Sequence, residues 1–353
     1  MRNGPAGRRP IKLSWRAVRV LVLGGTAFLG RHVVEAATQR GHTVTTLTRG
    51  RTNPDLFPEL ERLRGDRETD LSALEGRSFD VAIDTSGYLP RVVSKSASLL
   101  APRIERYLFV STLSVYEDAP RLDESTQTRR LLDPESENVT ADYGPLKALC
   151  EKVVEEAFPG RAIVIRPGLV VGRYDYTGRF GYWPRRVEQG GDVLAPGRPE
   201  TRIWLLDVRD LAGWMVDLAE SGTTGVYNAA GPDAPLSMAK LLQACRQVTA
   251  SDARFTWVED AFLLGHGVIP YSELPLWVPE LDGGYPLVDV NKAIADGLTF
   301  RPIAETIRDV LEGDSGFDLQ TTRSFGWARP PAGLTAERER RLLADWRQVH
   351  PSS

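Results

Sequence analysis

Val18-Arg19-Val20-Leu21-Val22-Leu23 runs straight into Gly24-Gly25-Thr26-Ala27-Phe28-Leu29-Gly30, and helical periodicity follows from Leu29 to Arg40. A short, mostly apolar run that stops at glycine reads as a buried parallel strand. The periodic segment ends before Gly41, a residue suited to a helix C-cap. Strand, glycine-rich turn and helix together form an anion cradle: backbone N–H groups approach a pyrophosphate and the helix N-terminus adds partial positive charge. Gly24 permits the tight turn and Gly30 the close helix–strand packing, while Thr26, Ala27, Phe28 and Leu29 supply the backbone between them. Gly30 precedes Arg31-His32 rather than Lys followed by Ser or Thr, which excludes a nucleotide-triphosphate P-loop.

Outward from this turn, strands are expected at Thr43–Thr48, Leu60–Arg64, Asp80–Asp84, Arg106–Ser111 and Ala162–Ile165. Helices are expected at Val92–Leu100 and Ala141–Phe158. This alternation predicts an α/β fold, a Rossmann-type doubly wound parallel sheet with a smaller C-terminal substrate-binding lobe. The domain reading is a flexible basic leader over 1–17, a dinucleotide-binding domain over 18–170 and a substrate lobe over 171–315. That lobe returns to the sheet at 205–230 and 287–300, and a helical extension occupies 316–353.

Bulk composition narrows the class. A net charge of −3 over 353 residues gives no basic surface, so nucleic acid is not expected as a partner. Cys150 and Cys245 form no disulfide framework, and His32, His42, His266 and His350 have no ligand spacing, so no metal is expected. No run approaches the ~20 apolar residues of a membrane span. The expectation is a cytoplasmic monomer or homodimer acting on a small molecule.

The second strand ends Leu47-Thr48-Arg49-Gly50-Arg51. A carboxylate there would hold a ribose 2′-hydroxyl; two guanidiniums suit a 2′-phosphate instead. NADP(H) is therefore the preferred cofactor, with NAD(H) the alternative and solvated loop charges the plainer reading of Arg49 and Arg51. Asp66 and Arg67 follow the third strand and are placed toward the adenosine end, although Asp66 also reads as a turn residue. Ser86, Gly87 and Tyr88 follow the fourth strand and are expected along the cleft.

Tyr143-Gly144-Pro145-Leu146-Lys147 sets a phenol and an ammonium on one helix face. A free phenol has a pKa near ~10, and a neighbouring ammonium lowers it, giving a general acid or base near neutrality. Lys147 can also hold the nicotinamide ribose. The fifth strand ends Val110-Ser111-Thr112-Leu113-Ser114-Val115-Tyr116. Thr112 is the hydroxyl chosen to meet a substrate carbonyl, with Ser111 and Ser114 as alternates.

Taken as a set, GGTAFLG at 24–30, STLSVY at 111–116, YGPLK at 143–147, RPGLVVG at 166–172, LLDVRDLA at 205–212 and DVNKAIADGLTF at 289–300 resemble the short-chain dehydrogenase/reductase superfamily. The resemblance is to its extended or atypical branch of epimerase/dehydratase-like proteins with a "GGTxFxG" turn, and it covers roughly residues 18–315. It implies Thr112 as the catalytic hydroxyl, Tyr143 as the acid/base and Lys147 as its activator. It also implies that Pro167 and Leu169 pack on the nicotinamide, that Ser111 lies at the cofactor and that Arg166 lies at the substrate edge. Ala27 stands where the family usually has glycine. Leu113-Ser114 replaces the Asp-Glu pair of the sugar dehydratases, which speaks against water elimination.

Residues 172–197 and 260–285 are expected to wall the substrate side, with Tyr174, Tyr176, Phe180, Trp183, Tyr271 and Trp277 offering stacking surface for an aromatic or secondary-metabolite substrate. For any one ring, the lobe's own core is the plainer role. Tyr88, Ser114, Arg166, Tyr174 and Trp183 are the expected substrate contacts. The leading function is an NADP(H)-dependent oxidoreductase of the carbonyl reductase or ketoreductase type. A nucleotide-sugar epimerase with bound NAD and a non-catalytic RNA-binding protein are the alternatives.

Overall fold

The computed structural model describes residues 17–232, 234–279, 284–313 and 332–350. The basic leader expected over 1–17 lies almost wholly outside them. In the first half, strands β1 (Arg19–Leu23), β2 (Thr43–Thr48), β3 (Glu61–Arg64), β4 (Val81–Asp84) and β5 (Arg106–Val110) alternate with helices α1 (Phe28–Gln39) and α2 (Pro90–Leu100). The two-residue strand β6 (Arg121–Leu122), helix α3 (Tyr143–Ala157) and strand β7 (Ala162–Pro167) complete it. The expected elements thus form, with ends shifted by a few residues.

Seven strands make one parallel sheet. Its order is β12-β7-β5-β4-β1-β2-β3, where β12 is Gly225–Ala229. Strand alternation feeds two cores. Val20, Val22, Ile83, Leu108 and Ile165 point to one face, which is closed by α1 and by α5 (Val208–Ser221). Leu21, Leu23, Ala82, Tyr107 and Phe109 point to the other, closed by α2 and α3. Chain order reverses between β1 and β4, and ligands of open α/β sheets bind outside the strand carboxyl ends at such a point. Gly24 and Ser86 leave the sheet on either side of it.

Beyond β7 the chain builds a further core. Strands β8 (Val170–Val171), β9 (Asp192–Pro196), β10 (Arg202–Ile203), β11 (Leu206–Asp207), β13 (Leu236–Ser237) and β14 (Arg254–Val258) pair in twos among themselves. Helices α4 (Tyr182–Glu188), α6 (Met238–Thr249), α7 (Asp260–Gly265) and α9 (Ile303–Glu312) pack with them. Helix α10 (Ala336–Val349) lies in the expected C-terminal extension and joins this core through Leu342, Leu343 and Trp346. Its buried Glu339 accepts from the Leu194 backbone N–H and from Arg186.

One expected return to the sheet is different in kind. Gly225–Ala229 does pair with β7, but β15 (Leu287–Val288) pairs with β6 instead. Helix α8 (Asn291–Ala295) then packs against β12, where the Lys292 ammonium donates to the Val226 carbonyl at 2.6 Å. Pro286 precedes β15 and cannot donate a ladder hydrogen bond, so the segment stays a two-residue strand.

Candidate active site

A cleft of about 1520 Å³ opens at the carboxyl ends of β1, β2, β4, β5 and β7 and runs beneath the loop 175–179. Its floor is backbone. Gly24 has φ +97°, a conformation that favours glycine, and a Cβ on Gly30 would sit 2.2 Å from the Gly24 carbonyl oxygen. Ala27, extended, precedes α1 without any side-chain cap, and no acidic residue occupies the first helical turn. The helix N-terminus is therefore left to the cleft, and Gly24 through Gly30, save Gly25, line it. This cradle fits a dinucleotide pyrophosphate.

Arg49 and Arg51 line the same cleft beyond β2, as do Asp66 and Arg67 beyond β3. Arg67 is not available as expected. Its two terminal nitrogens donate to the two Asp84 carboxylate oxygens at 2.7 Å each, and one also donates to Ser96. Asp84 is fully buried and further accepts from the Tyr107 hydroxyl and the Ser86 N–H. Burial alone would push the Asp84 carboxyl up, but Arg67 holds it below the ordinary range. This buried pair braces the floor at the switch point. Sequence reading assigned Asp84 only to a strand; a carboxylate closing a buried apolar strand was the signal.

The position of Tyr143 arises from a close approach. A Cβ on Gly144 would lie 2.0 Å from the Ser114 carbonyl oxygen. Only glycine lets the first turn of α3 settle on the 3-10 turn Leu113–Val115. Tyr143, the first residue of α3, thereby lines the cleft together with Thr112. Thr112 accepts from the Ser114 N–H at 3.1 Å, which orients its hydroxyl. Tyr88 lies across the cleft, its ring centroid 6.5 Å from that of Tyr143.

Lys147 differs from expectation. Its ammonium is buried and donates to the carbonyls of Gly87 and Val110, both at 2.6 Å. Burial pulls its pKa down to about 8. Burial raises the Tyr143 phenol above its ordinary value, opposed by the nearby Thr112 hydroxyl and by the charge of Arg179. Lys147 ties α3 to the ends of β4 and β5, and the cation acting on the phenol is Arg179, which sequence reading passed over.

Ser86, Ser111, Thr112, Ser114, Tyr88, Pro167 and Leu169 line the cleft as expected. The Ser111 hydroxyl, however, donates to Glu151. Three expected substrate contacts lie elsewhere. Arg166 is buried below the cleft, paired with Glu151 at 2.6 Å and donating to the Tyr116 hydroxyl at 2.8 Å. Trp183 is fully buried and donates its indole N–H to the Pro275 carbonyl, a lobe-core role shared by Phe180 and Trp277. Tyr174 stacks under the Arg31 guanidinium at 3.5 Å and packs beside His32 rather than facing the cleft. In each case a partner away from the cleft captures the side chain. The wall consists instead of Tyr176, Tyr271 and Tyr285, with Asp175 and Arg179.

Among the described residues, no group of three or more His, Cys, Asp or Glu could hold a metal ion, and no helix is long and apolar enough to cross a membrane.

The model of the NAD dependent epimerase/dehydratase family matches residues 20–85 and 93–230. The chain is 24% identical over 234 residues to the chloroplast stem-loop binding protein of 41 kDa b of Arabidopsis thaliana, which spans 60% of this chain and 58% of that protein. It is 28% identical over 237 residues to the isoflavone reductase homolog IRL of Zea mays, covering 64% and 67% of the two chains. Among solved structures, UDP-N-acetylglucosamine 4-epimerase from Bacillus cereus superposes with a TM-score of 0.62 at 16% identity over 83% of this chain and 98% of that one. The human epimerase family protein SDR39U1, solved with NADPH, gives 0.57 at 19% identity over 83% and 99%. At these identities the structures speak for the fold.

Proposed function

The chain belongs to the NAD dependent epimerase/dehydratase family, and from that premise we propose that it is an NADP(H)-dependent carbonyl reductase whose acid/base is Tyr143. The observation that carries this reading is the meeting of Tyr143 and Thr112 in one cleft with the Gly24–Gly30 cradle. A nicotinamide dinucleotide bound there would supply the hydride. Gly24 through Gly30 hold its diphosphate by backbone N–H groups, and Arg49 and Arg51 take the 2′-phosphate. Pro167 and Leu169 exclude water from the reacting side. Thr112 donates to the substrate carbonyl oxygen and Tyr143 gives that oxygen a proton.

The NADPH in the human relative and the reductase name of the maize relative support this reading. The epimerase reading is favoured by the near-complete coverage of nucleotide-sugar epimerase structures, 98% of the Bacillus cereus enzyme. The two differ in stoichiometry. A reductase consumes added NADPH in bulk with a ketone present. An epimerase is purified with NAD attached and turns over without any addition, and that result would replace the reductase reading. RNA binding that falls steeply with salt and survives Tyr143→Phe would point to the third alternative.

A further inference from the structure

Among the described residues, the substrate half of the cleft holds one guanidinium with no carboxylate to pair with. Arg179 lines the cavity, and among the described residues no carboxylate lies within ion-pair distance of it. Its Nε donates to the Thr177 hydroxyl at 3.1 Å, and that hydroxyl donates in turn to Asp175 Oδ1 at 2.7 Å. Asp175 also accepts from the Thr177 N–H at 2.9 Å. The three residues form a brace that fixes the guanidinium and leaves its two terminal nitrogens without a protein acceptor among the described residues. The Tyr271 ring centroid lies 5.4 Å from the guanidinium carbon.

The other cleft cations of this half are spent. Arg129 donates to Asp118 and to the Tyr116 carbonyl at 2.7 Å, and Lys147 to its two carbonyls. Next to Arg179, Asp175 is only 5% exposed, and its Oδ2 is buried with no partner. A desolvated cation and an orphaned acceptor side by side, held apart by a threonine, are costly unless a ligand completes them. A planar guanidinium with two free parallel N–H groups matches a carboxylate. The tyrosines 176, 271 and 285 around it suit a flat body.

We propose that Arg179 is the recognition residue for a substrate carboxylate, so that the substrate is a flat or aromatic oxo acid whose carbonyl reaches Tyr143 while its acid group pairs with Arg179. The Asp175 Oδ2 is left to accept from a hydroxyl of the same ligand. This inference rests on the reductase reading for the placement of the carbonyl, but its test reads binding alone.

Calorimetry on the full chain, saturated with NADP⁺ so that no turnover occurs, compares benzoylformate with its neutral methyl ester. The acid is expected to bind about tenfold or more tighter than the ester. Arg179→Met is expected to bring the two within about twofold while leaving NADP⁺ affinity unchanged, and Arg179→Lys to restore part of the preference. A melting curve for each variant confirms folding, and Arg179→Lys serves if the methionine variant does not fold. An ester that binds as well as the acid, a preference that survives Arg179→Met, or failure of both probes to bind would overturn the proposal. The two readings fail separately. Bulk reduction of neutral ketones with no preference for the acid removes the carboxylate site and keeps the reductase. A preference for the acid without NADPH consumption does the reverse.

Discussion

Arg67 and Arg179 both line one cleft and are treated in opposite ways. Arg67 is locked into Asp84 by two bonds of 2.7 Å, with Tyr107 and Ser96 completing the cluster. Arg179 is braced by a hydroxyl and, among the described residues, meets no carboxylate. The cofactor end is built from backbone: a positive-φ glycine, a close approach at Gly30 and an uncapped helix, with its nearest buried charges already paired. Such a surface suits a ligand that is always the same. The substrate end is built from side chains on a loop, with charge left for the ligand to satisfy. Reaction type belongs to the first region and specificity to the second.

Tyr143 sits where the two regions meet, and its removal is expected to have the largest effect. Tyr143→Phe should lower kcat by ~10²–10⁴-fold with NADPH affinity nearly unchanged, read by steady-state kinetics and cofactor fluorescence. Unchanged kcat would place the proton transfer elsewhere.

The cofactor end is sharpened by breaking its buried pair. Asp84→Ala strands the Arg67 guanidinium and should destabilise the fold by about 3–5 kcal/mol in denaturant melts. A loss under 1 kcal/mol, read as roughly the level of an exposed pair, would show that Asp84 does not brace the floor.

Lys147 tests whether the helix carrying Tyr143 is anchored by a buried cation. Its pKa in the fold, about 8, is below that of the unfolded chain, ~10.4. Between these values the unfolded chain binds more protons, so stability from this group rises as pH rises. Relative to Lys147→Met, the wild-type chain should gain about 2 kcal/mol between pH 7.5 and pH 9.5. A flat difference would put the ammonium in water, and a loss would mean that its carbonyl partners outweigh its burial.

The smallest effect concerns cofactor choice. Arg49→Ala should weaken NADPH by about 1.5 kcal/mol, roughly tenfold, and NADH far less. Equal weakening would remove Arg49 from the 2′-phosphate.

The same contrast explains what could be read from the chain itself. The sheet, the glycine turn, and the positions of Thr112, Tyr143 and Lys147 were legible because they rest on local signals: short apolar runs that end at turns, a glycine cluster, and helical spacing. The behaviour of Lys147 was not, because its partners, the carbonyls of Gly87 and Val110, come from distant strands. Arg166, Trp183 and Tyr174 were misplaced for the same reason: Glu151, Pro275 and Arg31 captured them through the fold. In GRYDYTGRFGYW the rings drew the reading, whereas the Asp and Arg between them face the cleft. Whether a ring is core or wall depends on what packs behind it, and spacing does not encode that.

The central claim is that one cleft holds a dinucleotide on the 24–30 backbone with its reactive ring against Tyr143. A crystal structure of the chain with NADPH tests it most directly. The account predicts diphosphate oxygens on the N–H groups of that turn and the nicotinamide C4 within about 4–5 Å of the Tyr143 hydroxyl, near-attack distance for a carbonyl between them. A dinucleotide seated away from the glycine turn, or a Tyr143 hydroxyl turned out of the cleft with cofactor bound, would contradict it.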